Sequence, residues 1–249
     1  MTQKLAGKVA FITGAGSGMG RAIAKEFAAH GAQLALIDIN AAALAETAAE
    51  IGAAALPMQG DISDGLEITR LVESAEAHFG RTDILVNCAG IHDQFVPLEE
   101  TDDALWDRIL SVNLKAAFRF TRAVLPGMRD RGYGNIINVA SAAGFVGGGG
   151  GAAYTSSKHG LIGLTRQTAV ENGKHGVRAN ALCPGAVMSN MTKAMLVPGS
   201  DAIKAAEATP IGRVGQPEEI ARVALFLASE DSSFVVGAAY LVDGGHTTI

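Results

Sequence analysis

The sequence is poor in several features, and each shortage excludes something. It holds two cysteines, Cys88 and Cys183, in 249 residues. That is too few for a disulfide framework or for a zinc site built from thiolates alone. The six histidines show no metal-ligand spacing, so no metal is expected. Aromatic residues make up only 5% of the chain, and no apolar run approaches the ~20 residues that cross a bilayer. Positive charge is in deficit: 20 Lys and Arg face 25 Asp and Glu, a net charge of −5. A chain so balanced carries no electrostatic footprint for nucleic acid or an acidic membrane. The opening segment "MTQKLAGKVAFITG" lacks signal-peptide architecture, and a cytoplasmic protein is the expectation.

The abundant components are small and aliphatic. The chain is 48% hydrophobic and contains 31 glycines, ample material for a buried core. Short apolar runs at 9–13, 34–38, 54–59, 83–87, 135–140, 177–183 and 239–243 read as strands. They lack clean alternation, as strands buried on both faces do. Helical patterns lie between them, at about 20–30, 41–51, 63–79, 102–130, 153–174 and 217–228. Strand–helix alternation from end to end predicts one α/β domain over 1–249, a doubly wound, mainly parallel seven-stranded sheet with helices on both faces. An insertion at about 188–209, rich in Met and Ala, breaks the rhythm and reads as a binding loop or lid.

The first strand runs into "TGAGSGMG" at 13–20 and then a helix. Glycine there makes the tight turn and lets backbone approach a pyrophosphate, which the free N–H groups of the helix start attract. Gly14, Ser17, Gly18, Met19 and Gly20 are therefore expected to hold a dinucleotide. Asp38 ends the second strand eighteen residues beyond Gly20. Its carboxylate suits the adenosine ribose hydroxyls and repels a 2′-phosphate, which favours NAD over NADP.

Taken with "NCAG" at 87–90, Asn113, Ser141, "YTSSK" at 154–158 and "PGAVMS" at 184–189, in that order, the chain resembles the short-chain dehydrogenases/reductases over nearly its whole length. The resemblance implies a Rossmann-like fold, a homotetramer and a catalytic set of Asn113, Ser141, Tyr154 and Lys158. It also implies cofactor contacts from Asp61, Ile62, Asn87, Ala89, Gly90, Tyr154, Lys158, Pro184, Gly185, Val187 and Ser189. Two positions depart from the family pattern: Cys88 stands where a second Asn is frequent, and Ser189 where Thr is usual. Asp61 has a second reading as the cap of the third helix.

Residue chemistry supports the same set. Tyr154 and Lys158, four apart, share a helix face, and an ammonium nearby lowers a phenol whose ordinary pKa is about 10. Tyr154 can then take the proton of an alcohol, or return it to a ketone. By resemblance, Ser141 holds the substrate oxygen, Lys158 bonds the nicotinamide ribose, and Asn113 holds a water that relays the proton.

The substrate is read from Phe145, Gly149, Met188 and Met191, with Phe95, Val146, Met195, Leu196 and Val197 nearby. The set is apolar, so a neutral, hydrophobic secondary alcohol or ketone is expected, although the Met residues could instead pack a lid or subunit contact. The run Gly147–Gly151 reads as a bare patch of pocket wall, or else as a spacer. His92 could enter the substrate region or remain a plain loop residue. Cys88 and Cys183 read as packing residues rather than nucleophiles. Two other functions compete: a 3-oxoacyl-carrier-protein reductase, which Asp38 opposes, and a non-catalytic nucleotide-binding protein on the same fold.

Overall fold

A computed structural model describes residues 3–248. Met1 and Thr2, and Ile249 at the end of the tail expected to reach a neighbouring subunit, lie outside the described residues.

Seven parallel strands form one sheet in the order β3-β2-β1-β4-β5-β6-β7. They are β1 (Val9–Thr13), β2 (Gln33–Asp38), β3 (Ala55–Gln59), β4 (Ile84–Asn87), β5 (Gly134–Val139), β6 (Val177–Pro184) and β7 (Ala239–Val242). Successive side chains point to opposite faces of a strand, so neighbours in β1 enter different cores. Ile12 packs with Phe27 of helix α1 (Gly18–Ala29) and Ile220 of α8 (Pro217–Ala228). Phe11 packs on the other face with Leu71 of α3 (Gly65–Phe79) and Phe120 of α5 (Ala116–Asp130). Helices cover both faces, which is why the strand sequences show no polar side.

The chain winds outward from β1 to β3, then returns to place β4 on the other side of β1. That reversal opens a crevice at the carboxyl ends of β1 and β4, where ligands bind in such sheets.

Helix boundaries differ from expectation in three places. Asp64, not the Asp61–Ser63 segment, caps α3 by accepting the Leu66 N–H at 2.9 Å. Asp61 instead accepts the Ser63 N–H in a local turn at 2.9 Å. The long helix expected over 102–130 is α4 (Asp103–Leu110), a π-helical turn (Ser111–Lys115) and α5. The insertion contains a short helix, α7 (Asp201–Glu207), capped by Ser200. The other two helices are α2 (Ala41–Ile51) and α6 (Ala152–Asn172).

Candidate active site

The glycine loop after β1 is shaped by close approach. A Cβ on Gly14, at φ +71°, would lie 2.9 Å from Ala89 Cα, and one on Gly18, at φ +51°, 3.1 Å from Ser189 Cβ. On Gly20 it would strike the Gly14 carbonyl. Thr13 locks this loop to the one after β4, its hydroxyl accepting the Cys88 and Ala89 N–H groups at 3.0 and 3.1 Å. Ser17 and Met19 sit at the start of α1, and Ser17 places no side chain over its free N–H groups. The loop thus presents bare backbone at a helix start, the arrangement that receives a pyrophosphate.

Asp38 stands beside this loop. Its Oδ2 accepts the Gly16 N–H and its Oδ1 the Asn40 N–H, both at 2.9 Å. Each carboxylate oxygen has capacity left for a hydroxyl donor. The cap of α2 is Asn40, which accepts the Ala43 N–H, so Asp38 does not serve there. Asp61 and Ile62 follow β3, and Asn87, Ala89 and Gly90 follow β4. Pro184 ends β6, with Gly185 and Val187 just beyond it. Gly185 has no room for a side chain against Asp243. Ser189 shares its hydroxyl with Thr192 at 3.0 Å. All of these lie at the carboxyl edge of the sheet. The cradle, the helix start and the carboxylate fit a nicotinamide dinucleotide.

Ser141, Tyr154 and Lys158 converge beyond β5. The Ser141 hydroxyl, which accepts the Ala143 N–H at 3.1 Å, is near enough to the Tyr154 hydroxyl to favour its ionised form. The Lys158 Nζ lies 5.6 Å from the Tyr154 ring centre and donates to the Val139 carbonyl at 2.9 Å. Burial pushes the lysine down to about 8. The Tyr154 hydroxyl is not lowered as expected: burial raises it, and the group opposing that rise is Ser141 rather than Lys158. Enclosure of the phenol outweighs an amine whose proton is directed at a carbonyl.

Asn113 sits in the π-helical turn with both side-chain polar atoms engaged. Its Oδ1 accepts the Ile91 N–H at 2.8 Å, while Nδ2 donates to the Ile91 carbonyl at 2.9 Å and to Ser157 at 3.1 Å. The side chain braces the loop after β4 and ties it to α6. Gly90 keeps this region open, since a Cβ there would lie 3.3 Å from Asn113 Oδ1. Both thiols are free and pushed up to about 12 by burial, as packing residues rather than nucleophiles are.

Two residues that sequence reasoning undervalued stand next to Tyr154. Asp93 is buried, and its carboxylate accepts the Gly151 and Tyr154 N–H groups, each at 2.8 Å. Gly151 is the N-cap of α6 and has no side chain with which to cap it, so Asp93 serves from a remote loop. His92 stacks on Tyr154 with ring centres 4.5 Å apart. A polar pair after "NCAG" was the available signal, but nothing in the spacing linked it to residue 151.

The glycine run divides in two. Gly147 and Gly148 face open space. A Cβ on Gly149 would sit 2.7 Å from Ala143 Cβ, on Gly150 2.6 Å from the Tyr154 ring, and on Gly151 2.8 Å from Asp93. Glycines 149–151 therefore let structural neighbours approach, while Gly148 and Gly149 also border the substrate cavity, so part of the run is bare pocket wall and part is close contact.

A cavity of about 430 Å³ opens from Ser141 and Tyr154. His92, Phe95, Met191, Met195 and Leu196 line it, together with Gly148 and Gly149. Phe145 and Met188, both expected there, do not border it, and neither do Val146 and Val197. Phe145 turns outward at the end of a 3₁₀ turn, and the Met188 backbone is tied to Gly215 at 3.0 Å. One cation, Arg213, reaches the wall, but two of its nitrogens are bonded to the Glu219 carboxylate at 2.7 and 2.8 Å.

The chain is similar to known proteins. A family model described as enoyl-(acyl carrier protein) reductase matches residues 14–247. The chain is 41% identical to 2-(S)-hydroxypropyl-CoM dehydrogenase 3 of Xanthobacter autotrophicus, covering 100% of both chains. It is 40% identical to (3R)-3-hydroxyacyl-CoA dehydrogenase of Mus musculus, covering 97% of each. The crystal structure of levodione reductase superimposes with a TM-score of 0.94 at 36% identity, over 98% of this chain and 99% of that one.

Proposed function

From the premise that the chain belongs to the short-chain dehydrogenase/reductase family and is an oxidoreductase acting on CH–OH groups, we propose that it interconverts a neutral secondary alcohol and its ketone with NAD(H). The observation that carries this reading is the approach of Ser141, Tyr154 and Lys158 to one another beside a largely apolar cavity, which Ser141 and Tyr154 border and whose lining cation is already paired.

A bound nicotinamide dinucleotide supplies the acceptor or donor of the hydride. The chain supplies proton chemistry and position. Ser141 and Tyr154 hold the substrate oxygen. A buried phenol stays protonated at neutral pH, the state that donates to a ketone as it becomes an alcohol. In the opposite direction the deprotonated Tyr154 takes the hydroxyl proton, so oxidation is favoured by alkaline pH. Lys158 and Ser189 flank the nicotinamide end, and Asp38 receives the ribose hydroxyls at the adenosine end. Ser17, Ile39 and Asn40 supply no cation for a 2′-phosphate, so Asp38 favours NAD and disfavours the carrier-protein reductase reading, which expects NADPH.

Exposed apolar side chains support a homotetramer. Phe118 and Val170 emerge on α5 and α6, and Phe234, Val236 and Leu241 around β7. No helix among the described residues is long and apolar enough to cross a membrane. The two thiols suit a reducing compartment such as the cytoplasm.

Steady-state kinetics with NAD and NADP across neutral secondary alcohols and ketones test the reading. Efficient turnover of neutral pairs with NAD is the expected result. Turnover confined to small anionic hydroxy acids, or to NADP, would contradict it.

A further inference from the structure

His92 occupies an unusual position for a loop histidine. Its side chain is 5% exposed, its ring stacks on Tyr154, and it borders the substrate cavity. The segment that delivers it is held in a costly shape: Gln94 and Phe95 both take left-handed φ values, +56° and +59°. Non-glycine residues adopt that region at a cost of about 1–2 kcal/mol each. Bonds from the loop to the catalytic helix, through Asp93 to Gly151 and Tyr154, hold it there.

The tautomer of His92 follows from its neighbours. Nδ1 accepts the Gln94 N–H at 2.9 Å, so in the neutral ring the proton sits on Nε2. That Nε2–H has one protein acceptor, the Gly149 carbonyl, at 3.4 Å. This is beyond the ordinary N–H···O range of about 2.7–3.2 Å, so the donor is poorly satisfied. Gly149 also borders the cavity, which places the under-used donor at its wall. Other hydroxyls on that wall are spent on carbonyls: Thr192 donates to Val187 at 2.6 Å and Thr209 to Ala206 at 2.7 Å. A poorly satisfied donor beside the reacting hydroxyl is a place for a ligand acceptor.

We propose that His92 is a substrate-recognition residue whose Nε2–H donates to a second oxygen of the substrate near the reacting carbon. The substrate class becomes neutral ketones and alcohols that carry another hydroxyl, ether or carbonyl oxygen close by, in place of plain hydrocarbon ketones. The proposal rests on the alcohol/ketone reading above and names the substrate class of that same site. A pocket built to bond a substrate oxygen rejects an analogue lacking it, because its own donor is then left without a partner.

The test uses two same-shaped pairs: 2-hydroxycyclohexanone against 2-methylcyclohexanone, and methoxyacetone against 2-pentanone. The wild type should favour the oxygen-bearing member of each pair by at least tenfold in kcat/KM. H92N keeps an acceptor near the Nδ1 position for the Gln94 N–H but removes the distal donor, and should lose that preference, read as the ratio of kcat/KM within each pair. H92Q, which restores a donor near the Nε2 position, should recover it. If H92N does not fold, H92F serves in its place. The same ratio in wild type, H92N and H92F, with turnover intact, would overturn the proposal. Failure of the wild type to reduce any ketone would instead overturn the alcohol/ketone reading on which the proposal depends, and the proposal with it.

Discussion

The Asp93 carboxylate accepts the backbone N–H of Tyr154 at 2.8 Å, joining the loop after β4 to the residue that handles the proton. A second bond to Gly151 fixes the start of α6. The charge has a chemical effect as well, because it raises the Tyr154 hydroxyl further. The His92 ring, the Lys158 amine and the Ser141 hydroxyl also face that phenol. Asp93→Asn removes the negative charge and opposes a donor to one of the two N–H groups. The Tyr154 hydroxyl should then titrate at lower pH, and the rise of alcohol oxidation with pH should move the same way. Stability should fall by about 2 kcal/mol, the scale of a lost charge-assisted bond. A pH–rate profile and a thermal melt read the two effects, and an unmoved profile would reduce Asp93 to a structural cap.

Substitutions along the glycine run should separate by position. Gly147→Ala meets open space and should be nearly silent. Gly149→Val is driven into Ala143, so kcat/KM should fall by a similar factor for bulky and small substrates alike. Gly150→Ala pushes on the Tyr154 ring itself and should lower kcat most. A loss at Gly149 confined to bulky substrates would instead show that its side toward the cavity is what matters.

Asp38 should govern the choice of dinucleotide. Asp38→Asn removes the charge that opposes a 2′-phosphate and keeps the shape that meets Gly16 and Asn40. The NAD-to-NADP ratio of kcat/KM should fall at least tenfold. An unchanged ratio would place cofactor choice elsewhere.

Lys158 illustrates a site held at the expense of stability. Its folded pKa, about 8, lies below the 10.5 of an ordinary lysine. Between those values the unfolded chain binds more protons than the folded one, so this group makes stability rise with pH through that window. Below about pH 8 the full burial cost is present. Lys158→Met should abolish turnover yet stabilise the fold at pH 7 by about 1–2 kcal/mol, after the lost bond to Val139 is subtracted. It should also flatten the rise in stability between pH 8 and 10.5. Denaturant titrations at pH 7 and pH 10 decide this, and a destabilised variant at pH 7 would contradict it.

The sheet was legible because its strands are buried on both faces. The sequence reading of Val9–Thr13 matches to the residue, and the other six strands match within one residue at each end. The glycine loop and Asp38 were legible because their chemistry is local: a tight turn, a helix start and a carboxylate at a strand end. What the sequence hid was nonlocal. The Asp93 contact spans 58 residues to Gly151 and depends on a left-handed pair at Gln94 and Phe95 that no turn residue announces. The π-helical turn at Asn113 interrupts a helix whose apolar spacing reads as continuous. The raised Tyr154 hydroxyl follows from enclosure, which a four-residue spacing to lysine does not reveal.

Tyr154→Phe removes one oxygen and keeps the ring that meets His92 and Gly150. The most direct measurement follows NADH formation with saturating secondary alcohol in wild type and Y154F, alongside titration of each with NADH. If Tyr154 is the acid and base, the variant loses at least a thousandfold in kcat and binds NADH within about threefold of wild type. Turnover in Y154F comparable to wild type would contradict the mechanism outright.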